Sequence, residues 1–325
     1  MTWGAAEPGS LGVEEEILLV DETTYEVVPG YSRIVEVATA EVKPELFECF
    51  VELATPVVLD ASHALDELQR LRLELATRAG EVGIALHAAG AHALAHGEGQ
   101  PLVPLERYRR LKKTVGATIY RQLVFGLHVH VAMADAASCL RAFEGVVPWL
   151  PTLLALSANS PYAEGSDTGR RSERAVRLLD MPTGGTPPVL RDWDDWDEAT
   201  AGDDTRRHWD AWPRPEYGTL EVRVMDMQTD VRRAAGFADL VRALVLAVAD
   251  EAPRPYDREV YACRREAATR EPPDPAEVEE LAALVEPHAG ELAAHVLSGR
   301  PEAERQLEVA IDAVPRDVVA RTLAF

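Results

Sequence analysis

The chain is short of the residues that cross-link, span membranes or grip polyanions. Its three cysteines, Cys49, Cys139 and Cys263, are scattered through 325 residues with no CxxC. An odd, unclustered set argues against both a disulfide framework and a zinc knuckle. Positive charge is scarce, with 33 Lys+Arg against 55 Asp+Glu and a net charge of −22. A field of that sign repels nucleic acid and anionic membranes, so neither is expected as a partner, and an anionic ligand needs a local Arg cluster or bound cations. The longest apolar stretch, Val146 to Ala158, carries Pro148 and Pro151 and falls short of the roughly 18–20 residues of a membrane span. The first ten residues, MTWGAAEPGS, lack a basic flank and an apolar run. No signal peptide is therefore expected, and a reducing cytoplasm fits. Neither G-x-x-x-x-G-K-[ST] nor G-x-G-x-x-G occurs, which leaves a P-loop or Rossmann nucleotide site unsupported.

What remains is an ordinary globular composition, 47% apolar and 27% charged. The reading is one catalytic domain over 1–325, with a core at about 10–250 and a helical C-terminal region from 251 on. Leu11 to Asp21 reads as a strand that turns at Glu22-Thr23-Thr24 into Tyr25 to Val28. Ala61 to Val82 spaces its leucines as an amphipathic helix after an Asp60/Ser62 start. Ile84 to His87 and Leu123 to Met133 read as strands, and Pro101 to Thr118 as loop and helix. Val146 to Ser160 reads as a buried helix, and residues 181–218 as an irregular excursion of short helices. Tyr217 to Asp226 alternates as a strand. Beyond Arg232 the pattern is helical, with breaks at Pro253–Pro255 and Glu271–Pro275. Strands followed by helices point to an α+β domain on a largely antiparallel sheet.

Carboxylates carry the chemistry. On a strand, Glu14 and Glu16 share one face and Glu15 points away. Apolar flanks suggest burial, where unpaired carboxylates are costly and a cation between them relieves the repulsion. Glu48 and Glu52 share a face on a helix or a strand alike, and by themselves they read as an amphipathic surface. Glu221 and Arg223 share the polar face of an apolar strand, by themselves a structural ion pair. His128 and His130 form an HxH on one strand face. That motif also opens many zinc amidohydrolases, but the preponderance of hard oxygen donors favours Mg²⁺ or Mn²⁺ over zinc. The loop D167-T-G-R-R-S-E-R174 brings three arginines suited to phosphate or carboxylate through bidentate contacts, or else a solvated loop.

GVEEEILLVD, VELATP, GLHVHV, SANSPYAEGSDTGRRSER and GTLEVRVMD occur in one order, and that series resembles the glutamate–cysteine ligase type 2 family of carboxylate–amine ligases over roughly residues 10 to 250. The resemblance implies a glutamine-synthetase-like sheet with helices packed on one face and, on the concave face, ATP and Mg²⁺. It implies that ATP phosphorylates a carboxylate and that an amine then displaces phosphate, so the partners are a small carboxylic acid and an amine. By motif position it implies metal ligands at Glu14, Glu16, Glu52, His128 and Glu221. Arg174 and Arg223 fall where the family contacts phosphate or the acyl-phosphate. Arg170, Arg171 and Asn159 belong to the nucleotide loop. Trp212 stands where similar proteins carry Arg, and this predicts a less anionic or more apolar substrate at that position. Two rivals are an amidohydrolase built on His128/His130 and a catalytically silent binding module; a homo-oligomer is left open.

Overall fold

The computed structural model describes residues 2–36, 42–202, 207–249, 256–310 and 315–324. The expected break at 253–255 lies outside these residues. In chain order the strands are β1 (Leu11–Asp21), β2 (Val42–Pro44), β3 (Phe50–Ala54), β4 (Ile84–His87), β5 (Gly126–Ala132), β6 (Tyr162–Ala163), β7 (Ser166–Asp167), β8 (Ala211–Arg214), β9 (Thr219–Asp226) and β10 (Leu323–Ala324). The helices begin with α1 (Tyr31–Val35), α2 (Ala61–Gly80), α3 (Glu106–Val115), α4 (Ala136–Val146), α5 (Leu150–Ser157), α6 (Glu173–Arg177) and α7 (Trp193–Ala199). They continue as α8 (Val231–Ala249), α9 (Arg258–Ala268), α10 (Pro275–Val285), α11 (Glu291–Ser298), α12 (Glu302–Ala310) and α13 (Pro315–Arg321).

Eight strands form one sheet in which β1 pairs with β3, β4 and β5, β5 with β9, and β9 with β8. Each of these ladders is antiparallel, which is the α+β class expected. The start of α2 is fixed as the sequence predicts: the Asp60 side chain accepts from the His63 N–H, satisfying one of the unpaired donors of the first turn. The turn after β1 forms at Glu22–Thr24 as expected, closed by the Asp21 N–H to Glu26 O and Val28 N–H to Leu19 O hydrogen bonds and a bridge between Val20 and Val27, with Tyr25 in a left-handed conformation at φ 61°.

The burial of β1 explains how the sheet is dressed. Alternate residues are buried from Leu11 to Glu16, and every residue is buried from Ile17 to Val20. Through the first half, one face packs on α2, α4, α5 and α8, whose Leu68, Phe143, Leu153 and Phe237 join Val13, Val129 and Val222 in one core. Through the second half a separate core, with Phe47, Phe50, Tyr108 and Leu111, gathers around Ile17 to Val20. The helices-on-one-face arrangement therefore holds where the carboxylates stand, and the opposite face is open there.

Three elements depart from the sequence reading, one of them β10 in the C-terminal region read as helical, which pairs with β4. The buried helix begins ten residues earlier than Val146, at Ala136, and β8 emerges from the segment read as irregular. The helical run Ala136–Ser157 has 22 residues, apolar and long enough to cross a membrane, but 67% of its most apolar window is buried inside the protein. Its apolarity is that of a core helix.

Glu15 and Arg72 tie the helical layer to the sheet. The guanidinium meets both carboxylate oxygens at 2.7 and 2.8 Å and donates to the carbonyls of Thr229 and Gln228. Both residues are almost wholly buried, so removing one partner strands a charge away from water. Arg72→Met should lower the unfolding free energy by about 3–5 kcal/mol, and Glu15→Leu in the same chain should recover most of that loss. Chemical denaturation measures both, and an unchanged single variant contradicts the assignment.

Candidate active site

Strand register, not chain proximity, assembles the site. Lys43 on β2 stands opposite Glu52 on β3, and Glu52 opposite Glu16 on β1. Glu14 stands opposite His128 on β5. His130 stands opposite Glu221 on β9, and Glu221 opposite Trp212 on β8. Directly opposed residues in antiparallel strands bring their side chains into contact, so six strands bring these polar groups into one row on the open face. All five expected metal ligands, Glu14, Glu16, Glu52, His128 and Glu221, line one cavity of about 680 Å³ with Arg223.

The contacts show how the charges are balanced. Lys43 Nζ lies 2.8 Å from Glu52 and 3.4 Å from Glu14. His128 approaches Glu14 at 3.6 Å and Glu16 at 4.0 Å, and His130 approaches Glu14 at 3.6 Å and Glu221 at 3.8 Å. Glu221, 1% exposed, accepts from Trp212 Nε1 at 2.8 Å and from Arg214, with Arg223 Nε at 3.6 Å. The Nε2 atoms of His128 and His130 are buried without a hydrogen-bond partner, although buried polar atoms are ordinarily paired. Among the described residues no three His, Cys, Asp or Glu groups are gathered closely enough to hold a metal as they stand.

Each protonation equilibrium has a physical cause. Burial would raise the Glu221 carboxyl, but Arg223, His130 and Arg214 outweigh it and hold it at about 2. Burial likewise opposes ionisation of Glu14, and His128 and His130 reverse that and hold it low. Glu52 goes the other way, raised by burial and by the Glu14 charge against the pull of Lys43. Glu45, in the same cavity wall, is raised well above the ordinary range by burial and by Glu52 and Glu16.

Gly126 makes the close approach feasible. A Cβ there would stand 2.2 Å from Arg174 Nη2 and 2.9 Å from His128 Nε2, and its own N–H donates to Glu16. Arg174 itself, 2% exposed, donates to the carbonyls of Val224 and Arg223 at 3.2 and 3.0 Å. It thus lies beside His128 and braces β9 while standing outside the cavity lining.

The structure does not bring the nucleotide-loop candidates to this cavity. Arg170 pairs with Glu266 at 3.0 Å, and Arg171 pairs with Glu304 at 2.5 Å; both partners belong to helices α9 and α12. Asn159 is fully buried, and its amide donates to Met227 O, Thr229 and Glu302 and accepts from Gln306. Partners 96 and 133 residues away take up the countercharge that the loop alone offers to a phosphate. Trp212 is a second departure: 8% exposed, it packs among Trp196 and Trp209 and turns its N–H to Glu221, offering no flat face to a substrate. Sequence reasoning passed over Lys43, Glu45 and Arg107, which also line the cavity. Alternation of polar Lys43 with Val42 and Pro44 was their only signal. It also passed over Asp226, which accepts from Ser160, Ser172 and the Asn159 N–H and anchors the loop behind the sheet.

The profile of Glutamate-cysteine ligase family 2 matches residues 10–318, and the chain belongs to that family. A Rubrobacter xylanophilus protein provisionally named glutamate–cysteine ligase 2-1 is 35% identical over 266 residues, 77% of this chain and 71% of the relative. A Paracoccus denitrificans protein with the provisional name glutamate–cysteine ligase 2 is 35% identical over 246 residues, 72% of this chain and 65% of the relative. Among solved structures, the glutamate–cysteine ligase from Francisella tularensis in complex with AMP superposes with a TM-score of 0.68 at 12% identity, covering 97% of this chain and 88% of the other. A bifunctional glutathione synthetase from Pasteurella multocida gives 0.63 at 14%, covering 96% and 49%. At those identities the superpositions speak for the fold. Family membership makes the chain an ATP-dependent ligase that joins a carboxylate to an amine through an amide bond. The amidohydrolase reading of His128 and His130 finds no support among these ligases and synthetases.

The opposite shifts of Glu221 and Glu52 separate two variants that charge repulsion alone would treat alike. Glu221 is held at about 2 in the fold, so its ionised form stabilises the metal-free protein above the ordinary carboxylate range. That contribution is lost as pH falls toward 2. Glu221→Gln should therefore melt several degrees below wild type at pH 7, with the gap narrowing only below about pH 4.5. Glu52, raised in the fold, should give an equal or higher melting temperature as Gln. Thermal melts in chelator across pH measure this, and a stabilised Glu221→Gln protein at pH 7 contradicts it.

Proposed function

We propose that Glu14, Glu16, Glu52, His128 and Glu221 hold the divalent cations, Mg²⁺ or Mn²⁺, through which this ligase binds ATP. The observation that carries the reading is the carboxylate row itself, spanned where two of its members meet by the ammonium of Lys43. A buried cluster of like charges needs cations, and carboxylate oxygens with an unpartnered imidazole nitrogen suit a hard divalent ion. The Lys43 side chain is half exposed, so it can withdraw as metal enters.

The bound metal supplies Lewis acidity and neutralises the charge that builds between nucleotide and acceptor. The chain's own residues do the rest. Arg223, Arg214 and Arg107 line the same cavity and bind the acid's carboxylate and the transferred phosphoryl oxygens through charge-assisted hydrogen bonds. Arg223 is the catalytic arginine of this reading. Arg174 is a positioning residue that fixes β9 and with it Glu221 and Arg223. Arg170, Arg171 and Asn159 hold the C-terminal helices. The carboxylate oxygen takes the γ-phosphoryl group, giving ADP and an acyl-phosphate. The amine nitrogen then bonds to the acyl carbon, the C–O bond to phosphate breaks, and the proton released passes to a neighbouring carboxylate or imidazole. The net change converts carboxylate, ammonium and ATP into amide, ADP, phosphate and a proton.

ATP affinity measured by calorimetry should drop by at least about 100-fold when Mg²⁺ is replaced by chelator, because no phosphate-cradling loop compensates. Glu221→Gln should reproduce much of that loss in the presence of Mg²⁺. Equal affinity with and without metal contradicts the proposal.

A further inference from the structure

A second cavity, of about 530 Å³, adjoins the first on the same face of the sheet and shares Glu14, Lys43 and Tyr217 with it. The first is walled by Arg107, Arg214 and Arg223 as well as Lys43. Among the described residues Lys43 is the one Lys or Arg lining the second. Without metal its ammonium is engaged, 2.8 Å from Glu52 and 3.4 Å from Glu14. Both of those carboxylates are ones the cation site claims.

Metal entry changes both sides of that contact. Divalent cations on Glu14 and Glu52 satisfy the carboxylates and repel the ammonium. The four-carbon stem of lysine, half exposed here, lets a point charge swing while the strand stays in place. The first cavity holds the arginines and receives the metals, so repulsion turns the ammonium toward the second.

The second cavity is furnished for an anion there. Lys43 faces one carboxylate oxygen of Glu14, and His130 Nε2 faces the other at 3.6 Å. Glu14 thus stands between them as the carboxylate of a ligand would once metal draws it away. His130 Nε2 is buried with no hydrogen-bond partner, and so is Ser10 Oγ, four residues along β1 on the same face. The remaining acid of the wall, Glu216, is neutralised by Arg214 at 2.6 Å. Val57 and Tyr217, 68% and 59% exposed, complete the wall with apolar surface open to a ligand.

We infer that Lys43 is a metal-released anchor for a carboxylate carried by the amine substrate. With cations on the carboxylate row, its ammonium turns into the second cavity and grips that carboxylate through a charge-assisted hydrogen bond. His130 Nε2 meets the same group, and Val57 and Tyr217 cover the apolar part of the ligand. The inference rests on the cation site proposed above. Metal and carboxylate then bind cooperatively, each tightening the other by the same factor.

Calorimetry on the full chain without nucleotide tests this, with Mn²⁺ as the metal, 3-phenylpropionate as the probe and 3-phenylpropionamide as its uncharged counterpart. Mn²⁺ should tighten 3-phenylpropionate by about tenfold or more and leave the amide unmoved. Lys43→Met and Lys43→Gln should move the two ligands in opposite directions. Mn²⁺ should bind about threefold more tightly or better, because no ammonium competes for the row, while 3-phenylpropionate loses its gain from Mn²⁺. A lysine with a purely structural role would not separate the two. Val57→Asp, which adds a carboxylate to the second cavity alone, should weaken the probe on the Mn²⁺-loaded protein by about threefold or more. Mn²⁺ that binds the wild type without tightening the probe, a gain that survives both Lys43 variants, or a probe indifferent to Val57→Asp overturns the inference and leaves the cation site standing. A wild-type protein that binds no Mn²⁺ fails the cation site itself, and the anchor falls with it.

Discussion

Like charges on one face of a pleated sheet set the terms for the rest of this molecule. Alternation along β1 turns Glu14 and Glu16 outward and Glu15 inward, and the two directions are satisfied differently. Inside, one arginine meets Glu15 with matched geometry and further donors to backbone, a closed arrangement that welds sheet to helix. Outside, the carboxylates of β1 and β3 share a single lysine and two imidazoles, and Glu221 on β9 is met by Arg214 and Arg223. That side stays electrostatically open, and openness toward cations is what a phosphoryl-transfer site requires.

The supporting structure can be understood as what keeps that row in register. A one-residue slip of β1 against β5 or β3 would exchange the two faces, placing Glu15 among the outer carboxylates and Glu14 in the apolar layer. The continuous burial of Ile17 to Val20 and the Glu15–Arg72 pair both resist it. At the far end, Trp212 and Arg214 hold Glu221 from β8, and Arg174 braces β9 from behind Gly126. Asp210 performs a comparable service at the rim, locked to Arg265 at 2.6 Å and to Tyr261, so that helix α9 is tied to the strand edge.

What was legible in the sequence was whatever depends on local periodicity. Parity alone put Glu14 and Glu16 together, separated Glu15 from them, and set Glu221 with Arg223 on the polar side of β9. The cap at Asp60 and the boundaries of β1, β4 and α2 follow from equally local rules. Non-local pairing was not legible. Arg170 and Arg171 looked free for a phosphate because Glu266 and Glu304 lie far along the chain, and Trp212 looked like a substrate surface because nothing local announced Trp196, Trp209 and Glu221 as its neighbours. Lys43 was invisible for a related reason: a three-residue strand carries too little pattern to show its face, and its importance comes from the two carboxylates beside it. The family resemblance supplied the expected ligand set; register explains why those residues line one cavity.

The central claim is that the outer carboxylates form a divalent-cation site that Lys43 spans only while metal is absent. An anomalous difference map from crystals grown with Mn²⁺ and an ATP analogue tests it most directly. The account predicts manganese peaks within about 2.5 Å of oxygens from Glu14, Glu16, Glu52 or Glu221, with Lys43 swung away from Glu14 and Glu52. Manganese located elsewhere, or an ordered nucleotide with Lys43 still bridging the two carboxylates and no metal beside them, would contradict it.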